Sequence, residues 1–185
     1  MGLTTLLLSC LLAALLLWAV VVFNRLVRLR NQVRTAWADV DVQLIRRHDL
    51  VPQLVAAVKA YAGHERAVLE AVTSLRAQAL SQRSRPLLAA VEQSLEQALG
   101  RLFALKEAYP DLKANENFAQ LQRDLVEVEE QLQYARRFYN GAVRDYNDAT
   151  QRFPDLAVAR ATGFRAEEFF EAGEAQRAAV RVEMP

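Results

Sequence analysis

The run from Leu3 to Phe23, LTTLLLSCLLAALLLWAVVVF, constrains this chain more than any other stretch, because it carries no charged residue. As a helix at 1.5 Å per residue it spans roughly 31 Å, about the hydrocarbon thickness of a bilayer. Trp18 and Phe23 lie towards its C-terminal end, where aromatic rings favour the interface, and Arg25, Arg28, Arg30 and Arg34 follow at once. The positive-inside rule keeps these arginines in the cytoplasm and leaves Met1 and Gly2 outside. Each interfacial arginine adds on the order of 1 kcal/mol of attraction to anionic lipid. An export signal would place its charges before a shorter apolar core, and here they follow a long one. Leu7-Leu8-Ser9-Cys10 matches a lipoprotein box only faintly, since few apolar residues precede Cys10 and the run continues past it. The expectation is a retained transmembrane anchor over residues 1–24 with the lipid bilayer as its first partner.

Beyond the anchor about 160 residues remain, enough for one core but not comfortably for two. The 23 basic and 22 acidic residues nearly cancel to +1, which removes the overall attraction to polyanions and argues against nucleic acid as a partner. Cys10 is the lone cysteine and lies inside the apolar run, so neither an intramolecular disulfide nor a cysteine-based zinc site can form. Glycine and proline are scarce, and the Ala, Leu, Arg, Gln and Glu that dominate favour long helices over sheets. The expected fold is all-α: an N-terminal transmembrane helix followed by an antiparallel four-helix bundle over 25–172, with a flexible tail at 173–185.

Helical periodicity begins at once after the anchor, with Leu26, Leu29, Val33, Trp37, Val40 and Leu44 on one face, so the anchor helix runs on into the body. Pro52 interrupts it, because it cannot donate to the carbonyl of His48 and its ring crowds that turn. Asp49 fits as N-cap of a new helix with Pro52 in its first turn. The hydrophobic phase across Pro52 is nearly unbroken, which leaves a kinked single helix open, while length favours a break: Arg25 to Leu80 as one rod would reach roughly 84 Å. The next series, Val51, Val55, Val58, Ala62, Leu69, Val72, Leu75 and Ala79, ends in a polar loop at Ser81–Arg85. A third helix starts near Pro86 with Leu88, Val91, Leu95, Ala98, Leu102, Leu105 and Tyr109, ended by Pro110 and Asp111. The fourth keeps heptad spacing from Phe118 through Leu125, Leu132, Tyr139 and Tyr146 to Phe153, and Pro154 stops it. That seam is longer than the third helix can cover, which leaves room for a homo-oligomer as well as for packing within the chain. Leu156, Val158, Phe164, Phe169 and Phe170 read as a loop and short helix against the bundle.

The segments RNQVRTAWADVDVQLIRRHDLVPQLVAAVKAYAGHE, AYPDLKANENFAQLQ, ARRFYNGAVRDYN and FP followed by GFRAEEFFE, in that order, resemble the LemA family. The resemblance covers essentially everything after the anchor, with small departures such as Gly141 in FYNGAV and Phe170 in EFFE. It implies a bundle of four core helices, single-pass anchoring with a short outside N-terminus and no established enzymatic activity. Some members of the family are associated with magnetosome membranes, and some carry lipoprotein-type N-termini in place of a spanning helix.

No constellation in the chain amounts to an active site. His48 and His64 each have an acidic neighbour, Asp49 and Glu65, but neither pair has the i,i+4 spacing that puts two ligands on one helical face. Asp39 and Asp41 point about 200° apart on a helix and cannot share an ion or a substrate. Trp37, Tyr134, Phe138, Tyr139 and Tyr146 stand at core and seam spacing rather than forming a stacking platform for bases. Arg46-Arg47-His48-Asp49, beside the proline break, reads as a helix end whose cations complement the dipole, and also as a docking surface for a partner or for lipid headgroups. The candidate partner- or lipid-facing residues are therefore Arg28, Arg30, Arg46, Arg47, His48, Asp49, His64 and Glu65. No cofactor, metal or catalytic residue is expected, and the partners are other membrane or cytoplasmic proteins. A metal-binding hydrolase using both histidines and a body facing the periplasm are the competing readings.

Overall fold

The computed structural model describes residues 2–171, and among them there are helices and connecting turns but no strand. In chain order these are α1 (Gly2–Lys59), α2 (Arg66–Ser81), α3 (Arg85–Ala104), a 3-10 turn (Leu105–Glu107), the short α4 (Pro110–Lys113), α5 (Glu116–Gln151) and α6 (Asp155–Thr162). The expected tail at 173–185 lies outside the described residues. Anchor and body are joined as the periodicity after Phe23 predicts, in the single helix α1.

α1 does not end at Pro52. That residue lies inside the helix, Asp49 caps nothing, and the chain turns at residues 60–65 instead. The missing N–H of Pro52 does leave the carbonyl of His48 without its helical donor. A side chain from α2 takes that place: Arg76 Nε donates to the His48 oxygen at 2.7 Å. Pro52 itself is exposed, so its ring meets no packed neighbour. The turn then forms where Ala62, fully buried, bonds back to Val58 through its N–H at 2.8 Å. Gly63 sits tightly there, since a Cβ at that position would press on the Lys59 carbonyl at 3.0 Å.

Pro110 also acts differently from the expectation. α3 stops at Ala104 and unwinds through the 3-10 turn, and Pro110 occupies the first turn of α4, where its missing donor costs nothing. α5 opens on Asn115, whose side-chain oxygen accepts the Phe118 N–H at 2.8 Å. Its heptad seam is buried from Phe118 to Ala149, but Phe153, the last position of the pattern, is 81% exposed. α6 ends on Gly163 in the left-handed region (φ 77°), from which Phe164 N–H returns to the Ala159 carbonyl at 3.0 Å.

The described residues divide into two compact units, and α1 and α5 each contribute to both. The larger unit holds residues 39–136 and the segment from Glu168, and its core is made by Val51, Leu54 and Val58 of α1, Leu69 and Val72 of α2, Leu95, Leu99 and Leu102 of α3, and Phe118, Leu121 and Leu125 of α5. The smaller holds residues up to Ala38 together with Arg137–Glu167. There Val22 and Leu26 of α1 pack with Ala149 of α5 and with Val158 and Ala159 of α6. Trp37 meets Tyr139 edge-on at 5.3 Å. Because the contact partner moves from 139 to 149 as α1 is followed back from 37 towards 22, α1 and α5 are antiparallel in this unit.

The Pro52 bridge is testable by a double-mutant cycle. Arg76→Ala leaves the His48 carbonyl without a donor and lowers stability by about 1–3 kcal/mol. In a Pro52→Ala background the residue 52 N–H supplies the bond, and the same Arg76→Ala change costs measurably less; chemical denaturation of the protein in detergent, followed by helical circular dichroism, reads both.

Candidate functional site

Helical spacing puts charge into the core of the larger unit. The buried face of α1 runs Val40, Leu44, Val51, Leu54, Val58, and Arg47 falls between Leu44 and Val51 at the same three-and-four spacing; on α3, Glu92 falls likewise between Leu88 and Leu95. Arg47 is 1% exposed, Glu92 0% and His48 6%. Arg47 Nη1 donates to Glu92 Oε2 at 3.1 Å, and its Nη2 pairs with Glu129 Oε2 of α5 at 2.7 Å. His48 Nε2 lies 2.7 Å from the other Glu92 oxygen. An ionised carboxylate only accepts, so Nε2 is then the ring nitrogen that carries the proton. Arg136, two turns beyond Glu129, adds a second cation whose guanidinium carbon lies 5.2 Å from the Phe170 ring centroid. Burial and the nearby Arg47 pull the Arg136 guanidinium below its ordinary pKa, against the opposing pull of Glu129, Glu96 and Glu92.

This cluster joins α1, α3 and α5 directly, and α2 through Arg76. Its central groups are out of reach of a solute, so its role is to set which helix faces which. Ion pairs of this kind add little over apolar packing, but a charge left unpaired in the core is expensive, which penalises every other helix register.

The candidate residues from the sequence therefore separate. Arg46 and Asp49 are exposed, whereas Arg47 and His48 point inward and are not partner- or lipid-facing. The expectation of a docking cluster rested on a helix end at Pro52, and because α1 continues, Arg47 keeps its place in the seam. His64 is exposed in the 60–65 turn. Glu65 is half-buried and accepts a hydrogen bond from the Tyr109 hydroxyl at 3.1 Å, which raises the Tyr109 pKa above its ordinary value. Among the described residues no group of three or more His, Cys, Asp or Glu is set to hold a metal. A cleft of about 750 Å³ opens beside the end of α1 and α2, lined by Val55, Lys59, Arg66, Leu69, Glu70 and Ser74 among others. It contains no histidine, and the Ser74 oxygen accepts from Gln78 rather than facing a base.

The sequence reading missed Glu92, Glu129 and Arg136. For Glu92 the signal is present in the sequence: it stands at seam spacing on α3, although its apolar neighbour Val91, the core position by hydropathy, is only half-buried.

In the smaller unit, α1 meets two environments. From Leu3 (74% exposed) to Leu17 (69%) it is apolar and uncovered, a surface far beyond what a soluble protein leaves to water. It is the one helix among the described residues long and apolar enough to cross a bilayer. The hydroxyls of Thr5 and Ser9 donate to the carbonyls of Gly2 and Leu6 at 2.9 and 2.8 Å, so neither needs a partner in lipid. Cover begins with the half-buried Trp18 and Ala19 and is close to complete at Val22, which is 5% exposed. Arg25 pairs with Asp155 at 2.9 Å, Arg28 is exposed, and Arg30 lies 4.9 Å over the Phe164 ring. Phe164 also meets Phe23 and Tyr146 edge-on at 5.7 and 6.5 Å.

An uncovered apolar helix that leads into a helical body stitched by buried charge defines a membrane-associated, all-α protein. The sequence profile of the LemA family matches residues 36–184, and the chain belongs to that family. The match starts beyond the apolar run, so the family assignment and the anchor are independent observations. Magnetosome protein MamQ 2 and Magnetosome protein MamQ 1 of Paramagnetospirillum magneticum are each 24% identical to it over 175 residues, and Magnetosome protein MamQ of Magnetospirillum gryphiswaldense is 23% identical over 174. Each comparison covers 80% of this chain, which spans 64% of the length of these relatives.

Glu92→Gln removes the fully buried one of the two carboxylates that pair with Arg47, leaving Glu129, and lowers stability by about 1.5–3 kcal/mol. Arg47→Met combined with Glu92→Leu removes both charges and recovers much of that loss; denaturant midpoints of the two proteins in detergent decide between these outcomes.

Proposed function

We propose that the chain is a non-catalytic scaffold, held at the membrane by α1, whose helical body on the cytoplasmic side recruits other proteins or orders the membrane surface. One observation carries this reading above the rest: the histidine, arginines and carboxylates best suited to chemistry are committed to one another in the core, while the uncovered apolar surface lies on the anchor. The exposed Arg28 and Arg34 directly after the span support the cytoplasmic side for the body and leave a short N-terminus outside. That the relatives are named for a cellular structure rather than for a reaction agrees with a structural role. Arg46, Asp49 and His64 remain as exposed polar positions for contact with partners.

Proximity labelling from the C-terminus in native cells tests compartment and partners together, with cytoplasmic proteins expected among those marked. Strong periplasmic phosphatase activity from a C-terminal fusion overturns the orientation. Capture of no partner above background, combined with substrate turnover by the purified chain, overturns the scaffold reading. Arg46→Ala with Asp49→Ala is expected to change stability by no more than about 0.5 kcal/mol while reducing the proteins marked.

A further inference from the structure

The apolar seam of α5 ends on a side chain that the fold leaves uncovered. Every seam position from Phe118 to Ala149 is buried, yet Phe153 is 81% exposed, and Pro154 and Ala157 beside it are exposed as well. An isolated aromatic tip would mean little, but its height along α1 can be worked out. Tyr139 lies against Trp37, and Ala149 shares a cluster with Leu26 and Val22. Ten residues of α5 advance about 15 Å, the length of about ten residues of α1 in the opposite direction. Phe153 lies in the turn between the end of α5 at Gln151 and the start of α6 at Asp155, and therefore comes level with the end of the uncharged run, between Val22 and Arg25. The pairing of Arg25 with Asp155 at 2.9 Å places the start of α6 at the same height. Trp18 and Ala19, a turn deeper in the run, are half-buried where the residues before them are fully exposed, and they pack against this same cluster.

The corner between α5 and α6 thus stands where α1 passes from hydrocarbon to headgroups. An aromatic ring is favoured at that depth, and long cations reach from it to the phosphates. The charges around it suit that position. Asp155 is neutralised by Arg25, Asp148 lies 3.8 Å from Arg152, and the exposed Arg28 and Arg160 pair with no acidic side chain among the described residues.

We infer that this corner is a second membrane contact, with Phe153 inserted into the lipid interface beside the anchor. The inference rests on the reading of α1 as a membrane anchor. Its consequence is that the membrane-proximal unit is seated on the lipid at two points and does not swing on a single tether. Such a seat is continuous with the apolar surface of the span, which is why lipid rather than a protein is its occupant.

The test uses the full chain with Cys10→Ser, reconstituted in vesicles of phosphatidylcholine and phosphatidylglycerol, with an environment-sensitive fluorophore on Phe153→Cys, on Leu12→Cys within the span, or on Phe138→Cys. Phe138 is an exposed aromatic of α5, about 20 Å along that helix from its end at Gln151. The expected result is blue-shifted emission, protection from aqueous iodide and quenching by lipid-borne nitroxide at positions 153 and 12, with a water-exposed signal at 138. An aqueous signal at 153 with an apolar one at 12 overturns the inference and leaves the anchor standing; Phe153 is then free for a partner protein. An aqueous signal at 12 overturns the anchor, and the inference with it. Apolar signals at both 138 and 153 also overturn it, because the contact is then not a property of the corner.

Discussion

The carbonyl of His48 is the weak point on which the body of this protein depends. Pro52 removes its helical donor in the middle of a helix that must continue to Lys59. Arg76 supplies the donor from α2, and with that bond α1 keeps one register from Val40 to Val58. Arg47 keeps its seam position in consequence, and the ion network that ties α1 to α3 and α5 can form. A helix that ended at Pro52 would have turned the same arginine into an exposed terminal cation.

Burying charge in a core is costly, and the arrangement here limits that cost by sharing. Glu92 serves two cationic or hydrogen-bonding neighbours, Arg47 serves two carboxylates, and His48 reaches the remaining Glu92 oxygen. Each group has a partner only when three helices are in one alignment. The network therefore buys register more than net stability. It also takes Arg47 and His48 away from solvent, so these two side chains of the motif beside Pro52 serve the fold.

α1 solves a second problem in its first half, where no protein side chain covers it. The helix satisfies its own backbone, and the hydroxyls of Thr5 and Ser9 return to carbonyls three residues earlier, which suits those groups to hydrocarbon surroundings. Between Trp18 and Val22 packed protein begins to cover the helix, and aromatic and cationic side chains gather around the next turns: Phe23, Arg25, Arg30 and Phe164.

Composition and periodicity were enough for much of this. The apolar run, the continuation of the anchor into the body, the loop before Pro86, the heptad seam of α5 and its stop at Pro154 were all legible, because each depends on hydrophobic spacing or on proline chemistry within a few residues. The course of α1 through Pro52 was not legible, since the compensating donor lies 28 residues away on another helix. Nor was the fate of Arg47 and Glu92: local patterning assigns charge to a solvated face, and only the meeting of opposite charges across helices makes their burial affordable. The exposure of Phe153 was hidden for the converse reason, as spacing alone extends the seam to it while α5 ends at Gln151 and the chain turns before it. Sequence by itself determined which stretches are helical and which one is apolar enough for lipid, because those follow from neighbours along the chain. Tertiary structure alone decided where the charges go and which aromatics stay uncovered, Tyr134 and Phe138 against the core and seam places expected of them and Phe153 at the end of the seam, because those follow from neighbours in space.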